Sequence, residues 1–410
     1  MTGDAAEVTR EVPVLSVVRA RLVRARVATG LVFLSFGTVV GAWTSRVPAI
    51  KAGLGLTDSQ LSAALVAFAV GSVGGMVVLA RVVDRLGSGL VMAVLGAVQG
   101  VLLVPPALAR APWALCAALF VLGSVQGTLN VAMNANAVEV QRAWGNPVMS
   151  SFHAVFSLGG FLGAAVGGVL AGAGLSARAT FTVVCGGSLS VCVVAARWRL
   201  RDARAAGDRG GGVQATESGV PVRWGLVVLL GLLAMSAMSA MVAEGAAGDW
   251  SAVYLRTTVG TGTGFAAAGF VGFSVAMMLA RLVGDRVVTR IGPVRLVRVS
   301  AVFATVVFVI GGLVIATPVS AVLGFAGLGA GLAGLTPQVY SAAGRLTTGG
   351  AGRRLSVIVG MGYTGFLFGP ALIGFTSRLV GLRAALAIPA VLVLTVAAAA
   401  GVLRTPRTSL

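Results

Sequence analysis

The sequence predicts an all-α membrane protein with twelve transmembrane helices, arranged as two pseudo-symmetric six-helix bundles. Of its 410 residues, 57% are hydrophobic and only 10% are charged, whereas a soluble domain carries about 25% charged residues. Leu79–Val83 (LARVV) returns near the middle of the chain as Leu279–Val283 (LARLV). Each copy ends a long apolar run, so the repeat is typical of a membrane protein built from two copies of one bundle.

Twelve apolar segments are long enough to be spanning helices, each of which needs about 20 mostly apolar residues. The segments cover approximately residues 27–46, 58–80, 89–109, 112–138, 151–173, 177–197, 224–246, 262–283, 293–315, 319–342, 354–376 and 383–403. This spacing predicts bundles over residues 26–197 and 224–403. The polar, glycine-rich stretch 198–223 is expected to be a solvated linker, and residues 1–25 and 404–410 are expected to be tails.

Positive charge is unevenly distributed between the two sets of loops. Seven basic residues fall in the odd-numbered loops: Arg46, Lys51, Arg110, Arg178, Arg256, Arg378 and Arg383. The other 24 of the 31 fall in the tails, the even-numbered loops and the linker. Loops rich in arginine stay on the cytoplasmic side, so both termini are predicted to be cytoplasmic. The net charge of +19 then reflects orientation in a lipid bilayer, and no nucleic-acid partner is expected.

The fifth and eleventh segments carry small residues at matching positions. Gly159 and Gly163 return 206 positions later as Gly365 and Gly369, the latter followed by Pro370. Small residues every fourth position allow close helix packing, which is the simpler explanation of each segment taken singly. The matched spacing supports duplication of the bundle.

The loop after the second segment resembles a signature of the major facilitator superfamily. Asp84-Arg85-Leu86-Gly87 is similar to the core of that family's loop motif, and Asp285-Arg286 with Gly292 is similar in the second half. Ala80 replaces a usual glycine, and Ser88-Gly89 replaces expected basic residues. The fifth segment resembles the antiporter motif, with Ala164 where proline is typical. The resemblance implies that these loops, Gly159, Gly163, Gly369 and Pro370 take part in gating, and that Asp84 and Asp285 pair with neighbouring arginines.

Two further stretches resemble one branch of that family. Asn134–Glu139 through Pro147–His153, and Glu244–Arg256, are similar to the bacterial YbjJ-like inner-membrane branch, which is related to the fucose permease group. This resemblance implies a multi-pass protein of the inner (plasma) membrane that moves a small molecule. It does not name a substrate.

Candidate proton-binding residues emerge by elimination, because the chain has only twelve acidic residues. Glu139, Glu244 and Asp249 remain once the tails, the linker, the helix start at Asp58 and the loop motifs are set aside. A carboxyl group in a low-dielectric bundle can bind and release a proton near neutral pH. Glu244 is the leading candidate, in a glycine-rich segment that is expected to be able to unwind. The alternative is that Glu244 or Asp249 pairs with Arg256 or Arg46 at the outer rim.

Glu139 and His153 form a second candidate pair across a short loop. Glu139 lies towards the inner end of the fourth segment, where Arg142 is a possible ion-pair partner. His153, the only histidine, could exchange a proton with Glu139. The alternatives are a structural ion pair for Glu139 and a local hydrogen bond for His153.

Polar and aromatic side chains within the apolar segments are candidates for substrate binding. They are Gln126, Asn130, Asn134 and Asn136 on the fourth segment, Gln338, Tyr340 and Tyr363 on the tenth and eleventh, and Trp43 and Trp250 at the outer ends of the first and seventh. Contacts between helices are the alternative for the amides, and interfacial anchoring for the tryptophans. A methionine patch on the seventh and eighth segments would suit apolar ligands or fill gaps in the core: Met235, Met238, Met241, Met277 and Met278.

Together these features predict a proton-coupled secondary transporter that works by alternating access. Export of a drug-like molecule or metabolite by antiport is the first hypothesis. Import of a sugar-like solute by symport is the alternative, and a non-transporting receptor or scaffold is the alternative of another class. One histidine and three scattered cysteines cannot build a metal centre. We therefore expect no enzyme, no metal and no cofactor, and a monomer.

Overall fold

The computed structural model describes residues 4–78, 80–198, 224–266, 268–345 and 351–403. Among these residues, eleven helices are long and apolar enough to cross a membrane, and the shorter apolar helix Ala63–Val78 covers the remaining predicted segment. The prediction of an all-α membrane fold is confirmed, and the twelve predicted segments are consistent with it. Most of the predicted linker and all of residues 404–410 lie outside the described residues.

The helices follow the predicted segments with several local differences. Their bounds are α1 Asp4–Gly53, α2 Asp58–Val78, α3 Ala80–Leu86, α4 Ser88–Leu102, α5 Pro112–Trp144, α6 Met149–Gly172, α7 Ala177–Trp198, α8 Trp224–Thr257, α9 Thr263–Ala266, α10 Ala268–Ile291, α11 Pro293–Val307, α12 Pro318–Leu332, α13 Leu335–Arg345, α14 Ala351–Val380, α15 Leu382–Ala385 and α16 Ala387–Ala399. Helix α1 begins within the predicted tail. The ninth segment ends in a π-helical turn, and the tenth is broken into α12 and α13.

The chain forms two compact units. The first contains the described residues of Met1–Gly75, Arg81–Asn146 and Val155–Gly212, and the second contains those of Met76–Ala80, Pro147–Ala154 and Val213–Leu410. Each unit therefore corresponds to one predicted half, with two exceptions. Met76–Ala80 and Pro147–Ala154 lie in the first half of the sequence but belong to the second unit. The start of α6 packs within the second unit although it belongs to the first half of the sequence. The predicted bundle boundaries remain predictions.

Glycines bring two helix pairs of the first unit into backbone contact. A Cβ atom added at Gly41 would overlap the carbonyl oxygen of Gly160, and one added at Gly163 would overlap that of Thr38, so α1 and α6 touch along their backbones. A Cβ at Gly75 would overlap the carbonyl oxygen of Ser124, so the backbones of α2 and α5 are also in contact. Close approach of this kind requires small residues.

The second unit repeats both close pairs. A Cβ at Gly365 would lie 2.5 Å from the carbonyl oxygen of Met238, which joins α14 to α8. A Cβ at Gly329 would overlap the carbonyl oxygen of Phe273, which joins α12 to α10. Numbered by predicted segment, the close pairs of the first unit are segments 1 and 5 and segments 2 and 4. Those of the second unit are segments 7 and 11 and segments 8 and 10. The two units thus share one internal arrangement, as the repeat in the sequence predicts.

A glycine with left-handed backbone geometry follows each copy of the repeated loop. Gly87 has φ 86° just before α4, and Gly292 has φ 77° just before α11. A residue with a Cβ atom is strained in this region, whereas glycine adopts it readily. The glycines therefore end one helix and redirect the chain into the next at equivalent places.

Candidate functional site

An ion pair between α8 and α10 is the central feature of the second unit. Nη2 of Arg281 lies 3.8 Å from Oε2 of Glu244, and the side chains are 4% and 25% exposed. The distance fits an ion pair but exceeds that of a hydrogen bond. A buried charge in a membrane protein is costly, and such residues are commonly functional. A partly exposed carboxylate thus faces a buried guanidinium.

Arg281 was not among the residues predicted to be functional. In the sequence it belongs to the repeated LAR motif, and we counted it with the cytoplasmic arginines that end apolar segments. The structure instead places it inside the apolar span Ala268–Ile291. The available signal was its position two residues before the end of the predicted eighth segment, with apolar residues on both sides.

Three other helices of the second unit bring ring side chains to this pair. His153, near the start of α6, is buried and has its ring centroid 6.1 Å from that of Tyr340 on α13. His153 lies within electrostatic range of Arg281, and Tyr340 lies within that of Glu244. The ring hydroxyl of Tyr340 lies 3.6 Å from the position of a Cβ on Gly362, so α14 completes the group.

We call Glu244, Arg281, His153, Tyr340 and Tyr363 the α8–α10 cluster. Tyr363 follows Gly362 on α14, next to the position that the Tyr340 hydroxyl approaches. The structure therefore brings together four side chains that the sequence predicted separately, and adds an arginine. All five belong to the second unit. Gln338 is also buried on α13.

Helix α8 is continuous through Glu244 and Asp249, and the ability of this glycine-rich segment to unwind stays a prediction. The rim pairs that were the alternative for Glu244 and Asp249 are not formed among the described residues. Glu244 pairs with Arg281 instead of Arg256 or Arg46. In the first unit, a guanidinium nitrogen of Arg46 donates a hydrogen bond to the carbonyl oxygen of Leu175. Asp249 is exposed, one turn beyond Glu244 on α8.

Asp285 caps the start of α6. Its two carboxylate oxygens accept hydrogen bonds from the backbone N–H groups of Ser150 (2.9 Å) and Ser151 (2.8 Å). The first N–H groups of a helix lack partners within the helix, and the helix dipole favours an anion there. Asp285 thus binds the N-terminus of a helix. The resemblance implied instead that it pairs with a neighbouring arginine such as Arg286, whose side chain is exposed.

Replacing Asp285 with asparagine is expected to lower the melting temperature by a few degrees. The amide keeps the shape but loses the charge, and hydrogen bonds to a charged group contribute about 1.5–3 kcal/mol against about 1 kcal/mol for neutral ones. Thermal unfolding of the purified protein in detergent measures the change. Asp249→Asn removes an exposed carboxylate on α8 and is the control. Equal melting temperatures for the two variants would contradict the capping role.

Glu139 lies in a hydrogen-bond network of the first unit. Oγ of Ser88 donates to Glu139 Oε2 at 2.9 Å, and Nδ2 of Asn136 donates to Ser88 Oγ at 3.2 Å. Oγ1 of Thr29 donates to Asn136 Oδ1 at 2.8 Å. The network joins α1, α4 and α5. Ser88, which replaces a basic residue of the family motif, therefore bonds directly to a candidate proton carrier.

Three of the predicted substrate-binding amides, Gln126, Asn130 and Asn134, recur every fourth residue on α5 and form a stripe that is partly bonded within itself. Asn134 is fully buried, and its Nδ2 donates to the backbone oxygen of Asn130 (2.8 Å) and to Asn130 Oδ1 (3.1 Å). Gln126 is buried one turn earlier than Asn130. Asn136 points into the network of Glu139 and is not part of the stripe. A substrate role for these amides stays a prediction, and Asn136 contributes contacts between helices.

The two tryptophans pack against helices of their own units. Trp43 has its ring centroid 6.1 Å from that of Phe181, next to the buried core of the first unit. The ring of Trp250 lies 2.9 Å from the position of a Cβ on Gly374, so it packs against α14. Their positions follow the pseudo-symmetry of the two halves.

The remaining predicted residues are spread over both units. Asp84 and Arg85 are exposed at the end of α3. Gly159 and Gly163 contact α1, and Gly369 contacts Val242 of α8, while the side chain of Pro370 is not described. Met238 and Met241 pack against α14, whereas Met235 is exposed and Met277 is buried. No group of three metal-ligating side chains occurs among the residues that the structure describes.

Comparison with known proteins agrees with this architecture. The sequence profile of the Major Facilitator Superfamily matches residues 27–328. The chain is 34% identical over 377 residues to an uncharacterised MFS-type transporter of Yersinia pestis, covering 92% of this chain and 94% of that protein. It is 32% identical over 360 residues to an uncharacterised transporter of Sinorhizobium fredii, covering 86% and 90%.

Among solved structures, the fold is similar to that of FucP, an MFS transporter crystallised in the outward conformation. The TM-score is 0.78 at 16% identity, covering 93% of this chain and 98% of FucP. Such low identity establishes the fold alone. With the profile match over most of the chain, and the helices that can span a membrane, the chain belongs to the Major Facilitator Superfamily and is a multi-pass membrane transporter, not an enzyme.

Proposed function

We propose that the chain is a proton-coupled secondary transporter that works by alternating access, with Glu244 as the proton-binding residue. The observation that carries this proposal is the pairing of a partly exposed Glu244 with a buried Arg281 at 3.8 Å. Protonation of the carboxylate removes one half of a charge pair in a low-dielectric setting, where charges interact strongly. Proton binding therefore changes the electrostatics of helices that must move.

The other predicted proton carriers have weaker support. Glu139 accepts a hydrogen bond from the neutral hydroxyl of Ser88, in a network that joins three helices of its unit. Such a network also stabilises contacts between helices, so its presence does not by itself indicate proton transfer. Asp249 is exposed on α8, and no ion pair links it to another helix among the described residues. His153 remains a candidate as a member of the α8–α10 cluster, because its ring lies near that of Tyr340.

The direction of transport has two candidates, each with its own support. Export by antiport is favoured by the glycine spacing of α6, although Gly159 and Gly163 also provide the contact with α1. Import by symport is favoured if the transporter binds the proton and the substrate at the same time. FucP, whose fold is similar, is a fucose:proton symporter. A sugar-like solute was the alternative predicted from the amides of the fourth segment and from the resemblance to the fucose permease group.

Proteoliposomes test the coupling directly. A thermal-shift panel of sugars, nucleosides, organic acids and hydrophobic antibiotics first identifies a ligand. Adding that ligand outside vesicles loaded with a pH-sensitive dye is expected to change the lumenal pH. Acidification indicates symport, and alkalinisation indicates antiport. Ligand uptake at constant lumenal pH would contradict proton coupling, and ligand binding without uptake would favour a receptor.

A further inference from the structure

We propose that the second unit binds an anionic phospholipid on the exposed face of α11, with the lipid phosphate at Arg298 and one acyl chain along the helix. An apolar groove on this face begins at Arg298, whose side chain is exposed. The lipid site is independent of the proposed function, because it uses a surface of α11 and none of the residues of the α8–α10 cluster.

The groove lies along one face of α11 and has a volume of about 450 Å³. It is lined by Arg298, Val299, Val302, Phe303, Val306 and Val307. Helix α11 packs against α12 and α16, and its buried residues are Leu296, Val297, Ala301 and Ala304. The groove thus lies on the exposed face of the candidate membrane span Pro293–Ile315, where lipid chains are the surrounding medium.

The length of the groove fits one leaflet of a bilayer. From Arg298 to Val307 an α-helix rises about 14 Å, at about 1.5 Å per residue. The hydrocarbon core of a bilayer is about 30 Å thick, so one leaflet contributes about 15 Å. Arg298 lies towards the end of the span that is predicted to be cytoplasmic, and a long arginine side chain reaches the headgroup level from such a position. One acyl chain can therefore follow the groove while its phosphate meets Arg298.

Charge balance indicates that the lipid is anionic. Four exposed arginines lie at this end of α10 and α11: Arg286, Arg290, Arg295 and Arg298. Asp285 is the only acidic residue after position 250, and its carboxylate is bound to the backbone amides of Ser150 and Ser151. This part of the chain therefore has an excess of positive charge. Arginine clusters beside a membrane span attract anionic headgroups.

The start of α11 adds to this attraction. The helix begins at Pro293, after Gly292, which has no side chain that could bind the first backbone amides. The N-terminal end of a helix carries a partial positive charge and presents N–H groups, both of which favour a phosphate. The helix end and the arginines thus favour an anion at the same level of the membrane.

The first half of the chain provides an internal comparison. Helix α4 is the counterpart of α11, because each begins just after the glycine of the repeated loop, Gly87 or Gly292. Helix α4 contains no arginine or lysine. Its exposed apolar side chains include Leu90 and Val94. We therefore expect α4 to contact lipids without a preference for charge, and the selective site to belong to the second unit alone.

Native mass spectrometry of the purified full-length protein tests the proposal. Phosphatidylglycerol, which is anionic, and zwitterionic phosphatidylcholine with identical acyl chains are titrated in neutral detergent. One arginine near the headgroup is expected to raise the affinity for an anionic lipid about fivefold. Arg298→Gln should therefore weaken phosphatidylglycerol binding about fivefold, and Arg295→Gln/Arg298→Gln about 25-fold. Binding of phosphatidylcholine should not change, and wild type should prefer phosphatidylglycerol by about 25-fold or more.

Controls separate the groove from the charge. Arg256→Gln removes an exposed arginine from the opposite end of the predicted bundle and is expected to keep the wild-type affinity. Val302→Trp fills the groove and keeps every arginine, so it is expected to weaken phosphatidylglycerol binding. Glycerol phosphate has the charged group without acyl chains and is not expected to displace the lipid at an equal concentration. All the substituted side chains are exposed, so the variants are expected to fold.

A phosphatidylglycerol with a photoreactive diazirine on one acyl chain locates the site, and the labelled peptides are expected to contain residues 299–307. Equal affinity of wild type for the two lipids would overturn the inference. So would equal losses in Arg298→Gln and Arg256→Gln, unchanged binding in Val302→Trp, or displacement by glycerol phosphate. A dimer of this chain that covers α11 in place of lipid would also overturn it.

Discussion

Replacing Glu244 with glutamine is expected to abolish flux driven by a pH gradient, by about 100-fold or more if the proton is carried only there. Glutamine has nearly the same size and hydrogen-bonding shape, but its amide cannot be protonated at physiological pH. Exchange of labelled for unlabelled substrate across vesicles, with no pH gradient, needs no net proton transfer. We therefore expect this counterflow to persist in the variant.

The effect of the same substitution on stability must be measured beside the flux. Glu244→Gln leaves Arg281 without its acidic partner, and breaking a fully buried pair costs about 3–5 kcal/mol. The cost here should be smaller, because the Glu244 side chain is a quarter exposed to solvent. The double variant Glu244→Gln/Arg281→Gln restores neutrality and should recover part of the lost stability. Gradient-driven flux at the wild-type rate in the single variant, with unchanged pH dependence, would remove Glu244 from the coupling mechanism.

Replacing Gly163 with alanine is expected to destabilise the first unit by about 1–3 kcal/mol, the usual cost of overpacking. The new Cβ would overlap the carbonyl oxygen of Thr38 and lie 2.9 Å from the amide nitrogen of Ala42, so α1 and α6 would have to separate. Backbone atoms cannot rotate away as a side chain can. The melting temperature and the yield of monodisperse protein measure the effect.

The same helix provides a matched control. A Cβ at Gly168 would meet no atom within 4 Å, so Gly168→Ala should be neutral or slightly stabilising, because alanine favours a helix over glycine. The second unit offers an equivalent pair on α14. Gly365→Ala would place a Cβ 2.5 Å from the carbonyl oxygen of Met238, whereas Gly360→Ala meets nothing within 4 Å. Equal stability of the two α6 variants would contradict this prediction, because it would mean that α1 and α6 can separate without a loss of stability.

Some candidate site residues could be chosen from the sequence because charged residues are rare within membrane-spanning segments. Glu244 was found by elimination, since an acidic residue within an apolar segment needs a reason to be there. Its partner was missed, because Arg281 shares a repeated motif with residues that leave the membrane. Sequence spacing could place Arg281 on α10 but could not say whether the side chain turns inward. That depends on the rotation of α10 against α8 and α12.

Other contacts join positions that are distant in the sequence. Asp285 lies 135 residues from Ser150 in the chain, yet its carboxylate caps α6. Ser88 bonds to Glu139 across 51 residues, which gives a role to a position where the family motif is not matched. Neither contact is encoded by local periodicity. Both depend on how helices of one unit pack together.

The sequence by itself determined the class of fold and the matching small residues of the fifth and eleventh segments, and it predicted two six-helix halves. It could do so because spanning helices need long apolar segments, and closely packed helices need small residues at fixed spacing. Only the tertiary structure decided that Glu244 faces Arg281, that His153 joins Tyr340 and that α8 stays continuous. These contacts depend on the rotation and depth of each helix, which an almost uniformly apolar sequence leaves open.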